Sequence, residues 1–245
     1  MLLAGCAGGG PAGPALQGTA SKLDTIESGI LSVSVRMEPK NGDEFGYDIH
    51  GPIRLGKDGE QPAADVEYTQ VAGGANDTVR LVLAEDGSGW VERDGQRIDL
   101  SEEQLAELRE SGSLLGEKGL ETLNFEQWIV DPKLSDGPDG TDKVTADLDV
   151  ATAMAGLSAL SGVLGQDVKL TAAQRKQVAD AVDESSFELL TGKDDRLLRK
   201  LAVAFTLGAD VPEDLRDAIG DDAVGASFSF DLELDKVNEP VEIGG

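Results

Sequence analysis

Cys6 is the only cysteine in the chain, and it follows Leu3-Ala4-Gly5. One thiol closes no intrachain disulfide and builds no two-cysteine metal site. An aliphatic residue, two small residues and then a cysteine is, however, the spacing of a bacterial lipobox. A signal peptidase needs small side chains before its cut, and the soft sulfur can take a thioether-linked diacylglycerol. Cys6 is therefore the candidate lipidation site. The other reactive types give little. His50 is the only histidine, too few for zinc and without the local signature of a Ser-His-Asp site. No Gly-x-Ser-x-Gly, phosphate-binding or dinucleotide-binding glycine pattern occurs. Carboxylates are so abundant that no pair stands out as an acid–base couple. The acid-rich "DPKLSDGPDGTD" at 131–142 lacks calcium-loop spacing and reads as a hairpin connection. Asn76-Asp77-Thr78 reads as a turn. No catalytic residue, metal site or cofactor is expected.

The charge narrows the partners. Forty-seven Asp and Glu face 21 Lys and Arg in 245 residues, a formal net charge of −26. Such a surface repels nucleic acid phosphates and anionic bilayers while favouring solubility. Ala7 to Ala20 is rich in glycine, alanine and proline, the composition of a tether. Residues 1–20 thus read as a lipobox remnant with a flexible tether, and 21–245 as one domain.

Within the domain, Leu31, Val33, Val35 and Met37 alternate with polar neighbours, the period of a half-buried strand. Further strands are expected over Phe45–Leu55, Asp65–Val71, Thr78–Leu83 and Ser88–Arg93. "GKDGE", "AEDGSG" and "ERDGQ" supply hairpin turns between them. More strands follow at Phe125–Val130, Lys143–Leu148, Ser185–Thr191, Leu197–Leu207 and Val224–Leu234. Short helices are expected at Ser21–Glu27 and around Glu213–Ile219. Ser101 with Gln104, and Thr171 with Gln174, are spaced as capping boxes. "DVATAMAGLSALSGVLG" is a nearly uncharged helix with Leu157, Leu160, Val163 and Leu164 on one side. The expectation is an α+β fold: one antiparallel sheet of about ten strands, curled, with helices over its apolar face and a cavity between the layers.

Several stretches resemble one family. "LLTGKDDRLLRKLAVAF" and "ASFSFDLELDKVNEPVEI" are similar to the C-terminal hairpins of actinobacterial lipoproteins of the LppX/LprAFG type, within the LolA-like superfamily. The matching turns are Gly192-Lys193-Asp194-Asp195 and Asn238-Glu239-Pro240-Val241; "GILSVSVRM" and the lipobox fit as well. The resemblance implies a curved antiparallel half-barrel with helices on its concave side. It also implies an apolar cavity that holds lipid or glycolipid acyl chains, and no catalytic residues. With aromatics at only 4%, valine, leucine and alanine would supply most of the lining. The expected lining residues are Val33, Val35, Leu81, Leu83, Leu157, Leu160, Leu201, Val203, Phe205, Phe228 and Phe230. The resulting expectation is a non-enzymatic lipid-binding or lipid-carrying lipoprotein. It would be extracytoplasmic, anchored through Cys6 to the outer face of the cell membrane, with a possible envelope partner protein. The alternatives are a structural or partner-binding lipoprotein with a filled core, and an envelope hydrolase working through carboxylates.

Overall fold

The computed structural model describes residues 11–56, 62–110, 120, 123–161, 171–208 and 225–244; the side chains of 107, 109, 110 and 158–161 are outside the description. Eleven strands form one sheet: β1 Ser28–Glu38, β2 Phe45–Arg54, β3 Ala63–Ala72, β4 Ala75–Leu83, β5 Gly89–Arg93, β6 Gln96–Asp99, β7 Ile129–Asp136, β8 Thr141–Leu148, β9 Val182–Gly192, β10 Leu198–Leu207 and β11 Ser227–Asp235. Their order is β6-β5-β4-β3-β2-β1-β11-β10-β9-β8-β7, every neighbour antiparallel. The chain thus meanders outward from β1 to one edge, crosses to the other edge, and meanders back until β11 closes against β1. The α+β expectation holds as a large open antiparallel sheet with four described helices: α1 Gly13–Ala20, α2 Glu102–Glu110, α3 Val150–Ser161 and α4 Ala172–Ala181.

Period-two patterning sets which face is dry. Leu31, Val33, Val35 and Met37 of β1 lie opposite Leu234, Leu232, Phe230 and Phe228 of β11, and all eight are buried. The same row continues through Leu201, Val203 and Phe205 of β10 to Phe187 and Leu189 of β9. A one-residue slip anywhere would turn this set to water, so the hydrophobic pattern fixes the register. The helices cover that face. Leu16 of α1, Met154 and Leu157 of α3, and Val178 of α4 join the sheet residues in one buried cluster.

Both expected capping boxes form. The Gln104 amide N–H donates to Ser101 Oγ at 3.3 Å, and the Ser101 N–H donates to Gln104 Oε1 at 3.0 Å. Thr171 and Gln174 repeat the arrangement at 3.3 and 2.9 Å. Other expectations need correction. Residues 13–20 are not tether but helix α1. Pro14 sits in the first turn, where its missing N–H costs nothing, and Ala12, Ala15, Leu16 and Thr19 are buried. Eight residues rich in glycine and alanine do not hold a helix in water; docking on the core supplies the stability. Asn76-Asp77-Thr78 lies inside β4, because Gly73 and Gly74 take the positive φ of the hairpin turn two residues earlier. The "DPKLSDGPDGTD" segment does connect a hairpin, but its first half, 131–136, is strand β7, and the turn is confined to the residues around Asp139 and Gly140. Phe125–Gln127 is a 3-10 turn rather than the start of a strand, and Ser21–Glu27 contains only the 3-10 turn Leu23–Thr25. Strand β6 was missed; it pairs with β5 across the Asp94-Gly95 turn. The "GKDGE" turn beyond Gly56, residues 163 and 164, and the expected helix at 213–219 lie outside the described residues.

The docking of α1 has one directional element. The Thr19 hydroxyl donates to Thr191 Oγ1 of β9 at 2.6 Å, and Thr191 donates on to the Leu197 carbonyl at 3.3 Å. Both threonines are fully buried. Thr19→Val keeps the shape and strands the Thr191 hydroxyl's lone pairs, so it should lower stability by about 1–2 kcal/mol in chemical denaturation. Thr19→Val with Thr191→Val should recover part of that loss.

Candidate functional site

The sequence-predicted lining residues do come together, as core. Val33, Val35, Leu83, Leu157, Leu201, Val203, Phe205, Phe228 and Phe230 are all buried in the single cluster between sheet and helices. Phe205 and Phe228 stack with centroids 5.1 Å apart. Leu81 is only half-buried, at the β4 end of the layer. The Leu160 side chain and Cys6 lie outside the described residues. The Thr19–Thr191 pair is a buried directional bond between the helical cover and the sheet. The buried cluster of the layer is apolar, and apolar contact has no preferred orientation.

Trp128, a core or rim aromatic from its sequence, is core, and its contact with α3 is what the sequence reading left out. Trp128 follows the 3-10 turn and is buried, and α3 lies against its indole. A Cβ placed on Gly156 would come within 2.7 Å of Trp128 Cζ2 and Nε1. The Trp128 carbonyl accepts from the Asp149 N–H at 2.7 Å, immediately before α3 begins. The signal was present as a lone glycine in a helical stretch of alanine and leucine, which marks close packing.

At the β2–β3 end of the same face, Tyr47 and Tyr68 stack with centroids 5.7 Å apart. Burial, with Tyr68 close by, pushes the Tyr47 phenol up to about 12. Both hydroxyls therefore stay protonated throughout the physiological range.

Over β8 to β11 the opposite face carries mostly polar and small side chains and is hollowed. Small side chains there, Ala202 and Ala204 of β10 with Ser186 of β9, floor a recess of about 520 Å³. A second recess of about 220 Å³ continues it toward Arg36 and Ser229, sharing Ser185, Ser186 and Ala204. Lys200 rises between Glu233, at 2.7 Å, and Asp231, at 3.9 Å. Burial raises the Asp231 carboxyl above its ordinary range against the pull of Lys200, with Glu233 and Glu188 adding repulsion. A carboxylate raised in the folded state costs stability once ionised, and the cost fades as pH falls through its folded value. Asp231→Asn should therefore raise the melting temperature at pH 7, with the gain shrinking toward acid pH.

Toward the β3–β4 side of this outer face, Arg80 makes a bidentate pair with Asp65, at 2.7 and 2.6 Å, and lies over the Trp90 ring at 5.3 Å. Arg97 lies over the same ring at 4.6 Å. Hydrogen bonding to Arg80, then its charge and the Gly244 N–H, holds the Asp65 carboxyl below the usual carboxylate range despite partial burial. A lowered carboxylate contributes stability above its unfolded value, near pH 4, and loses it as pH falls through the folded value. Arg80→Gln should lower the melting temperature at pH 7, and the gap from the parent should narrow as pH falls below the ordinary carboxylate range.

His50 sits exposed on β2, its Nδ1 2.9 Å from Ser32 Oγ. The two form a nucleophile–base pair in composition, but neither lines either recess. Among the described residues no group of three or more His, Cys, Asp or Glu is placed to hold a metal ion, and no helix is long and apolar enough to cross a membrane. The turns that carried the family resemblance have structural jobs. Asn238 Oδ1 accepts from the Glu27 N–H at 2.7 Å and its amide donates to the Thr25 carbonyl at 2.9 Å, clamping the entry to β1. Asp195 Oδ1 accepts from the Leu197 N–H at 2.9 Å and shapes the β9–β10 turn.

No protein-family model matches the chain, and no curated protein matches it. Among solved structures, the chain is similar to the crystal structure of a LolA superfamily protein, NE2245, from Nitrosomonas europaea. It is 13% identical over 94% of each chain, with a TM-score of 0.27. An overlap of that size leaves the fold argument to the strand order and register given above.

Proposed function

We propose that the protein binds acyl chains of a lipid or glycolipid between its sheet and its helical cover, as a non-catalytic lipoprotein of the LppX/LprAFG kind. In this reading the sheet curves as a half-barrel with the helices on its concave side. Cys6 carries the lipid that holds the chain at the outer face of the cell membrane, where an envelope partner protein would deliver or receive the cargo. The observation that carries the reading is the apolar layer itself. One dry face runs unbroken from β1 across β11, β10 and β9, under helices whose buried residues join it in one apolar cluster. A cover held that way can part and close over methylene groups, each worth about 0.8 kcal/mol when buried.

A second reading rests on a different observation. The nine buried candidate residues pack against one another and against the helices in one cluster, and a recess of about 520 Å³ opens on the other face. A structural or partner-binding lipoprotein with a filled core has that arrangement.

Native mass spectrometry of the full chain, purified from bacterial membranes and then mixed with dioleoyl phosphatidylglycerol, separates the two. The lipid reading expects a reproducible adduct of lipid mass that Val203→Trp abolishes while circular dichroism stays folded. A bare protein mass with no uptake selects the filled-core module.

A further inference from the structure

We propose that β6, the edge strand Gln96–Asp99, pairs with the same strand of a second copy of this chain across a two-fold axis at Ile98, joining two sheets into one. An open sheet has two edges, and this one guards them unequally. At β7, Pro132 has no N–H to give, Asp131 takes a positive φ, and the pairing with β8 shifts register between Val130 and Lys133. That edge is broken for an incoming strand. Strand β6 has no proline and no bulge, and its pairing with β5 is regular. It also carries Ile98, which at 63% is the most exposed large hydrophobic side chain among the described residues.

The pairing pattern dictates how a second copy fits. Arg93 and Gln96 flank the Asp94-Gly95 turn, both of whose residues have positive φ, and the Leu100 N–H donates to the Gly89 carbonyl at 2.9 Å. Even-numbered residues of β6 therefore use their main-chain groups on β5, and by alternation those of Arg97 and Asp99 point off the edge. A two-fold partner must match odd positions to odd. A centre at Arg97 sets two arginines face to face, and a centre at Asp99 sets two aspartates face to face. A centre at Ile98 instead sets Arg97 of each copy opposite Asp99 of the other, each pair exchanging both main-chain bonds. The two Ile98 side chains then meet as a non-hydrogen-bonded pair, the closer kind. Arg97 is already held in place, over the Trp90 ring at 4.6 Å and 3.1 Å from its own Asp99. Local charge permits the approach. Strands β4 to β6 carry Asp77, Glu92 and Asp99 against Arg80, Arg93 and Arg97, a neutral stretch in a chain of net charge −26. The repulsion between two acidic copies is relieved there. So short an edge makes a weak dimer.

Sedimentation equilibrium of the full-length chain tests this, with Cys6→Ser in every sample to remove the thiol and any lipid on it. The apparent mass should climb from 25.6 kDa toward twice that value as the protein is concentrated. Arg97→Asp and Asp99→Arg each set like charges face to face, and each should weaken the dimer tenfold or more. Combining them restores opposite charges with the signs exchanged, and should bring the affinity back to within about threefold of the parent. The combined variant keeps the loss of Arg97 from Trp90, so its recovery separates restored pairing from repaired folding. Asp99→Arg also lowers the negative charge of the chain, so general repulsion alone predicts a tighter dimer where the edge pairing predicts a weaker one. Leu134→Lys, on β7, should change nothing. A single-copy mass at every concentration overturns the proposal. So does a dimer that neither single variant weakens, a combined variant no tighter than the singles, or equal weakening by Leu134→Lys, which would place the contact at the other edge.

Discussion

Trp128→Ala should cost about 3–5 kcal/mol of folding free energy, a large part of the 5–15 kcal/mol that holds a domain of ordinary stability. The indole is buried where the 3-10 turn, the start of α3 and the sheet meet. Its removal leaves a void that α3 cannot refill from Gly156, which faces the ring and has no side chain to reach in. The reverse lesion is Gly156→Val. Its β-carbon would stand 2.7 Å from the ring, so the helix must move off the indole, at about 1–3 kcal/mol. The two lesions are complementary in shape, and their costs should not add. Urea unfolding of the parent, both single variants and the double variant closes the cycle. The double variant should be more stable than the sum of the singles implies, by about 1 kcal/mol or more. Simple additivity would mean that α3 does not lean on Trp128.

How far the sequence could be read depended on whether the deciding force was local. The alternation in Val33–Met37 and Phe228–Leu234 is imposed by one wet and one dry face, and period two reports it directly; both strands formed as expected. The capping boxes at Ser101 and Thr171 are closed within four residues, and they too were legible. Helix α1 was not, because its composition is that of a linker and its stability comes from burying Leu16 and bonding Thr19 to Thr191, 172 residues away. The Asn76 turn was misplaced for a different reason. An Asn-Asp-Thr run competes with Gly-Gly for the same hairpin, and the glycines win because both positions need φ near +60° to +76°. At the candidate site, burial of the predicted residues followed from patterning alone. The recess on the outer face did not, because it depends on side-chain size at the outward positions, where Ala202, Ala204 and Ser186 leave room that larger residues would close.

That division of labour between faces leads to the second large expectation. Phe230→Ala should destabilise the protein by about 3–5 kcal/mol, whereas Ser229→Ala, one residue away, should stay within about 0.5 kcal/mol. Phe230 sits between Val35 of β1 and Val203 of β10, at the seam where the two meanders close into one sheet, and it is buried. Truncating it opens a void across three strands at once, and the surrounding β-branched residues have few rotamers with which to collapse into it. Ser229 faces the other way, between Arg36 and Ala204 at the margin of the smaller recess, where water can replace what alanine removes. Because the pleat alternates strictly, the contrast between adjacent residues tests the register of β11 itself. Equal costs at 229 and 230 would require the sheet to be buried on both faces, and a larger cost at 229 would require a one-residue slip in the pairing of β11 with β1 and β10.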